Sequence, residues 1–233
     1  MSSALLGAID RIGTRSREVA WQEALAPRPT DLWDPKKFAE KQIQGLVHQL
    51  FSPKHARPVR QVVFSGIDAT TDVDGLCKQV GETLAREKSD DVGVVGAFCH
   101  IVEEEHSDRR EFERDIRGGT LKESARQLRR NLWLLDAGEC IHERGRGLHT
   151  CLSQLREEFE YSIVAAPPAG ESDDATTMAQ FSDGIILVLS AQHTRRIAAR
   201  KIKQKIDEAQ TRLLGTVLCD REFPIPQRLY RRL

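Results

Sequence analysis

The sequence lacks any long apolar run and any excess of charge of one sign. Its longest apolar stretches, such as residues 185–189, are far shorter than the roughly 20 residues of a membrane-spanning helix. The first residues also lack the apolar core of a signal peptide. The 35 basic and 35 acidic residues cancel, so no overall field attracts nucleic acid or anionic lipid. We therefore expect a cytoplasmic protein with no membrane span and no nucleic-acid partner.

Cysteine is scarce as well. The five cysteines are an odd number scattered along the chain, which does not predict a disulfide framework. Two Cys/His pairs, Cys140 with His142 and His149 with Cys151, lie in one short segment. Each pair has one intervening residue rather than the roughly two to four of zinc modules, so we expect no metal site.

Short apolar strands alternate with longer helical patterns along the chain. Strands that are apolar throughout are typical of a parallel sheet covered on both faces. The sequence therefore predicts a doubly wound α/β domain, with a mostly parallel sheet of about six strands and helices on both faces. The predicted strands are residues 61–64, 92–97, 132–135, 161–166, 184–189 and 213–219; the predicted helices are residues 38–50, 76–84, 121–130, 148–159 and 197–209.

Prolines separate the first part of the chain from this domain. Pro27, Pro29 and Pro35 interrupt any continuous helix, so we expect residues 1–35 to be a flexible or partly helical arm. Residues 36–233 are long enough for a single α/β domain. Ligands of such sheets bind at the carboxyl ends of the strands, which places the candidate site at residues 65–74, after the first strand.

Three segments near the end of the chain resemble a known family. Residues 181–195, 214–221 and 223–233 read FSDGIILVLSAQHTR, LGTVLCDR and FPIPQRLYRRL. They are similar to the closing third of the bacterial exopolysaccharide-synthesis ATPases. These ATPases group with the bacterial tyrosine kinases in the deviant Walker A (MinD/ParA-like) class of P-loop proteins. The strand that ends before the Pro-Pro pair resembles their Walker B segment, and residues 61–85 take the place of their P-loop unit.

The loop after the first strand departs from a working P-loop. Such a loop needs glycines that let backbone N–H groups wrap the phosphates, a lysine for the phosphates and a Ser/Thr for magnesium. On the family pattern, Val73 stands at the lysine and Asp74 at the Ser/Thr, and glycines are missing near Thr70 and Asp72. The predicted vestigial nucleotide loop consists of Gly66, Asp68, Thr70, Thr71, Asp72, Val73 and Asp74.

Three carboxylates, Asp68, Asp72 and Asp74, occupy the place where the family binds a polyanion. Repulsion between like charges a few ångströms apart is on the order of several kcal/mol at a protein-surface dielectric, so we expect weak ATP binding. The same carboxylates could instead hold a divalent cation. A solvated acidic turn in which Asp74 caps the next helix is the simpler interpretation.

The acids that hold magnesium in the family are replaced too. The second predicted strand carries Gly96 where the family has an aspartate, and Ala165 stands at the Walker B aspartate. The asparagine expected after the last strand is replaced by Cys219. These vestigial acid positions predict that no cofactor is bound and that no residue is catalytic.

The resemblance implies a role in exopolysaccharide biosynthesis, and the departures favour a non-catalytic structural or regulatory member, a pseudoenzyme. Its expected partner is a protein, either a membrane polysaccharide co-polymerase or a homologous ATPase, which would keep it near the inner membrane. The family's kinases phosphorylate a tyrosine-rich tail, whereas this chain has only Tyr161, predicted to be buried in a strand, and Tyr230.

Two alternatives stay open. The first is an ATP-binding tyrosine kinase or ATPase with an unconventional site, which would use ATP and magnesium. The second is a ParA-like positioning protein, which would need nucleotide-driven dimerisation and a basic surface. The basic residues at 195, 196, 200 and 201 cluster at the start of one predicted helix, but no aromatic residues accompany them, and we interpret them as surface charge.

Overall fold

The computed structural model describes residues 35–52, 57–96, 120–137 and 147–220. Contacts group residues Ala39–Glu222 into one compact unit, and Pro35–Phe38 precede it as the first turn of a helix. The described helices are α1 (Pro35–Leu50), α2 (Val73–Glu87), α3 (Leu121–Ser124), α4 (Leu148–Glu158), α5 (Asp174–Gln180) and α6 (Arg196–Glu208). The described strands are β1 (Gln61–Gly66), β2 (Val92–Gly96), β3 (Arg126–Arg129), β4 (Leu132–Asp136), β5 (Tyr161–Ala166), β6 (Ile185–Ser190) and β7 (Leu213–Cys219).

All the described strands belong to one seven-stranded sheet with the order β3-β4-β2-β5-β1-β6-β7. Every neighbouring pair is parallel except β3 and β4 at one edge, which run antiparallel. The predicted doubly wound, mostly parallel sheet is therefore confirmed. β1 lies inside the sheet and is parallel to its neighbours β5 and β6. The loop after β1 therefore lies at the carboxyl edge of the sheet, where ligands of such folds bind.

Both faces of the sheet are buried at its five inner strands, which explains why these strands are largely apolar. In β6, Ile185 and Leu187 join one apolar cluster, while Ile186 and Val188 join the cluster on the other face. Each fully buried side chain of this size contributes about 1.5–3 kcal/mol from the hydrophobic effect. One cluster contains residues of α1 and α2, and the other contains residues of α4, α5 and α6, so helices cover both faces.

Two elements differ from the sequence-based prediction. The predicted charged helix of residues 121–130 ends at Ser124, and its second half forms β3. The backbone groups of this segment pair with β4, and the exposed charges of Arg126 and Arg129 suit the edge of a sheet. The short helix α5 was missed altogether, although its Ala175 and Met178 are buried.

The cysteines and Tyr161 also differ in part from the sequence-based prediction. Cys77 and Cys219 are free thiols, but Cys151 is disulfide-bonded, so the expectation of no disulfide is wrong for that residue. Tyr161 begins β5 but is half-buried rather than buried, with its ring edge-on to Phe51 at a centroid distance of 5.4 Å.

Other expectations fall partly outside the described residues. Residues 1–34 of the predicted arm lie outside the described residues, as do Cys140 and His142. In the ranges described above, no group of three or more His, Cys, Asp or Glu side chains could hold a metal ion. No helix within those ranges is long and apolar enough to cross a membrane.

Candidate functional site

The loop after β1 is held against the loop after β5. The backbone N–H of Ala169 donates to the carbonyl of Gly66 over 2.9 Å, and that of Gly170 donates to the carbonyl of Ile67 over 3.1 Å. A Cβ atom at Gly170 would collide with the Ile67 carbonyl oxygen, so only glycine allows this close approach. The arrangement gives the predicted vestigial nucleotide loop a defined backbone position beside the Walker B-like strand.

Val73, predicted from the sequence resemblance to stand at the position of the phosphate lysine, is the first residue of α2. Its side chain is only 9% exposed and belongs to the apolar cluster that contains Val62 and Phe64 of β1. A lysine that binds phosphate must reach from the helix start towards the ligand. The side chain at this position instead packs into the core, as its apolar character requires.

Asp72 caps α2. Its carboxylate accepts the backbone N–H of Gly75 over 2.8 Å, and its carbonyl accepts the N–H of Leu76 over 3.3 Å. The expectation that Asp74 is the cap is wrong, because the helix begins at Val73 and Asp74 already lies in the first turn. Free N–H groups make a helix start an anion site, but here the chain's own carboxylate takes one of them.

The remainder of the loop is a short acidic turn. The Asp68 carboxylate accepts the backbone N–H of Thr70 over 3.1 Å and also accepts the Thr70 hydroxyl. Such local bonds are typical of Asx turns. No residue from Gly66 to Gly75 has a positive φ. The alternation of right- and left-handed residues that turns successive N–H groups towards one anion is therefore absent from this loop. The hydroxyl of Thr71 is buried there without a hydrogen-bond partner.

The two predicted vestigial acid positions lie in neighbouring strands at the carboxyl edge. Gly96 ends β2 and is in register with Asp136 of β4, while Ala165 of β5 is in register with Phe64 of β1. Neither position supplies a carboxylate for a metal. Sequence reasoning missed that Asp136 stands beside Gly96, since only the pairing of β2 with β4 brings the two together. The sequence signal for this carboxylate was an aspartate directly after the apolar run LWLL.

The thiol at the end of β7 belongs to the same acidic surroundings. Cys219 is in register with Ser190 of β6. Burial raises the pKa of the Cys219 thiol, and the charges of Asp220 and Asp72 raise it further. Burial likewise raises the pKa of Cys77 in α2 well above its usual value, with Asp74 and Asp72 adding to the effect. Both thiols are therefore protonated at neutral pH and poor nucleophiles.

Part of the chain is similar to a curated protein. No protein-family model matches the chain. It is 31% identical over 67 residues to the tyrosine-protein kinase CpsD of Streptococcus agalactiae serotype III (strain NEM316). The match covers 29% of this chain and 29% of CpsD, so the chain spans less than a third of the length of this relative.

Solved structures share the fold over most of the chain. The chimerical protein CapA2B2 is 16% identical, with a TM-score of 0.62, and covers 78% of this chain and 85% of its own. The kinase domain of the Escherichia coli tyrosine kinase ETK is 14% identical, with a TM-score of 0.58, over 81% and 79%. The MinD cell division protein of Aquifex aeolicus is 14% identical, with a TM-score of 0.50, over 74% and 72%. The fold is therefore that of the P-loop NTPases, as found in MinD and in bacterial tyrosine-kinase domains.

Proposed function

We propose that this chain is a non-catalytic relative of the bacterial tyrosine kinases and serves as a structural or regulatory protein of exopolysaccharide biosynthesis. The observation that carries the proposal is the start of α2, where Val73 packs into the core and the Asp72 carboxylate caps the helix. The first feature removes the positive charge that phosphate needs. The second places a negative charge where phosphate would bind.

The electrostatics of the loop favour the same conclusion. A nucleotide phosphate at the start of α2 would meet Asp72 and Asp74, with Asp68 two residues beyond the end of β1. Repulsion between like charges at such distances is on the order of several kcal/mol. Gly96 and Ala165, at the predicted acid positions, themselves supply no carboxylate for a magnesium ion that would offset this repulsion.

Similarity supports the biological setting of the proposal. The partial match to CpsD and the shared fold of the ETK kinase domain favour a relative of tyrosine kinases. The resemblance of residues 181–233 to the closing third of the exopolysaccharide-synthesis ATPases supports a role in exopolysaccharide biosynthesis. The proposed partner is a protein, either a membrane polysaccharide co-polymerase or a homologous ATPase, and the proposed location is the cytoplasm beside the membrane that holds this partner.

The match to CpsD is also compatible with an active kinase or ATPase that has an unconventional site. Isothermal titration calorimetry of the full chain with ATP and ADP, in the presence of magnesium, separates the two functions. We expect no binding tighter than millimolar and no hydrolysis above background. A dissociation constant in the micromolar range would falsify the non-catalytic function and favour the kinase.

A further inference from the structure

The start of α6 carries an unusual concentration of positive charge. Further along the helix, Lys203 pairs with Asp207 over 2.6 Å, and Lys205 pairs with Asp173. The cations at the helix start are all exposed, and none of them forms an ion pair with any residue that the structure describes. These cations, which we call the α6 basic patch, are Arg195, Arg196, Arg200 and Lys201.

An apolar side chain lies within this patch. Ile197 is 70% exposed, the most exposed large apolar side chain among the described residues. Residues four apart on a helix are neighbours on its surface, so Ile197 lies next to Lys201. Arg196 directly precedes it in the sequence. An apolar centre within a charged rim is the usual composition of a protein–protein interface.

The patch is unfavourable for the helix that bears it. The start of a helix is its positive end and favours acidic residues. The first turn of α6 contains no acidic residue, and its N-cap residue Arg195 makes no capping hydrogen bond through its side chain. By contrast, α2 has the carboxylates of Asp72 and Asp74 at its start. Sequences that break a local stability rule in this way do so preferentially at functional sites.

We propose that the α6 basic patch is a docking surface for an acidic segment of a protein partner, with an apolar side chain of that segment placed on Ile197. Arginine predominates in the patch, and its guanidinium group binds carboxylates through paired hydrogen bonds. Because the net charge of the chain is zero, attraction of such a segment depends on local charge. This inference rests on the proposed function, in which the chain acts through a protein partner.

Other polyanions fit the patch less well. Single-stranded nucleic acid is bound with aromatic side chains that stack on bases, and the patch has none. Stable attachment to a membrane requires more apolar contact than one isoleucine provides. An acidic polypeptide uses both the cations and the single apolar side chain.

The test measures binding of the full chain to three probes. These are a fluorescein-labelled peptide of alternating glutamate and leucine, vesicles of phosphatidylserine and phosphatidylcholine, and duplex DNA. The variants are Arg196→Glu with Arg200→Glu, and Ile197→Ser. The matched control is Arg129→Glu with Arg130→Glu, which makes the same charge change at exposed positions beside the far edge of the sheet. Circular dichroism verifies that each variant is folded.

We expect the wild-type chain to bind the peptide, and the α6 reversal to weaken that binding about tenfold, because attractive charge pairs become repulsive. Ile197→Ser should weaken it about threefold through lost apolar contact, and the control should bind as the wild type does. Absence of peptide binding, or an equal loss in the control, overturns the proposal. Binding of vesicles or DNA that the α6 reversal abolishes overturns it in favour of lipid or nucleic acid.

The proposed function has a separate readout. Micromolar ATP binding refutes the non-catalytic function and leaves the peptide result unchanged. Absence of peptide binding refutes the docking surface and leaves the nucleotide titration unchanged.

Discussion

The carboxylate of Asp183, which precedes β6, lies 2.5 Å from the guanidinium nitrogen of Arg156 in α4. Its other oxygen accepts the backbone N–H groups of Arg60 over 2.7 Å and Gln61 over 2.8 Å. One side chain thereby joins the starts of β1 and β6 to α4. Burial alone would raise the pKa of Asp183, but the hydrogen bonds from Arg60, Gln61 and Arg156 outweigh it and lower the pKa.

This lowered pKa predicts a pH-dependent contribution to stability. The folded state favours the charged carboxylate of Asp183. Its contribution to the free energy of unfolding is therefore complete above the ordinary pKa of 3.8, and it is lost as the pH falls through the lower pKa of the folded state. Asp183→Asn should reduce the free energy of unfolding by about 1–3 kcal/mol at neutral pH. Urea unfolding at a series of pH values should show this difference shrinking below about pH 4.

The matched control for Asp183 is Asp207→Asn, which removes an exposed carboxylate that pairs with Lys203. Exposed pairs of this kind contribute roughly 0–1 kcal/mol. If the difference between wild type and Asp183→Asn stayed constant down to pH 2, the assigned role of the Asp183 charge would be wrong.

A second prediction concerns the cap of α2. Asp72→Ala removes the acceptor of the Gly75 N–H and should lower the free energy of unfolding by about 1 kcal/mol. Asp68→Ala is the control, because its bonds lie within an exposed turn outside the helix, and it should cost less than half as much. Chemical denaturation measures both. Equal losses would mean that Asp72 does not act as the helix cap.

Much of the fold could be predicted because its signals are local. The continuous apolar run of β6 indicates a strand with both faces buried, and the two apolar clusters confirm that pattern. The strand β3 was not predicted, since three of its four residues are polar and exposed and resemble a helix surface. The helix α5 is only seven residues long, which is too short for a clear helical period.

The position of the candidate loop in the fold was predictable, but the contacts within it were not. The strand, loop and helix that surround it follow from pattern alone. The identity of the cap depends on where the helix begins, and helix ends are uncertain by one or two residues. The role of Asp183 depends on contacts with Arg60 and Gln61, more than 120 residues away in the sequence, so no local pattern reveals it.

A third prediction tests the cost of the α6 basic patch to its own helix. Arg196→Glu replaces a cation in the first turn with an anion that the helix dipole favours. The free energy of unfolding should therefore rise by about 0.3–1 kcal/mol, and the gain should shrink at high salt. Arg129→Glu, beside no helix start, should give no such gain. Destabilisation by Arg196→Glu would show that Arg196 makes favourable contacts in the free protein.

The fourth prediction concerns Val73, where a lysine would restore only one part of a P-loop. Val73→Lys must either bury an ammonium group in the cluster beside Val62 or expose that cluster to water. The free energy of unfolding should therefore fall by about 2–4 kcal/mol, as thermal unfolding can measure. ATP binding should stay weaker than millimolar by calorimetry at a temperature where the variant is folded.

Asp74→Ser tests the same loop without changing the core, since Asp74 is half-exposed and is predicted to stand at the Ser/Thr position. It removes one repelling carboxylate and restores a hydroxyl at the magnesium position, yet it should bind ATP no better than millimolar. The reason is that the loop would still lack residues with positive φ, the Asp72 carboxylate would still cap α2, and Gly96 and Ala165 would still supply no acid. Micromolar affinity in either single variant would mean that the backbone of this loop is already arranged for phosphate and that a single side chain prevents binding.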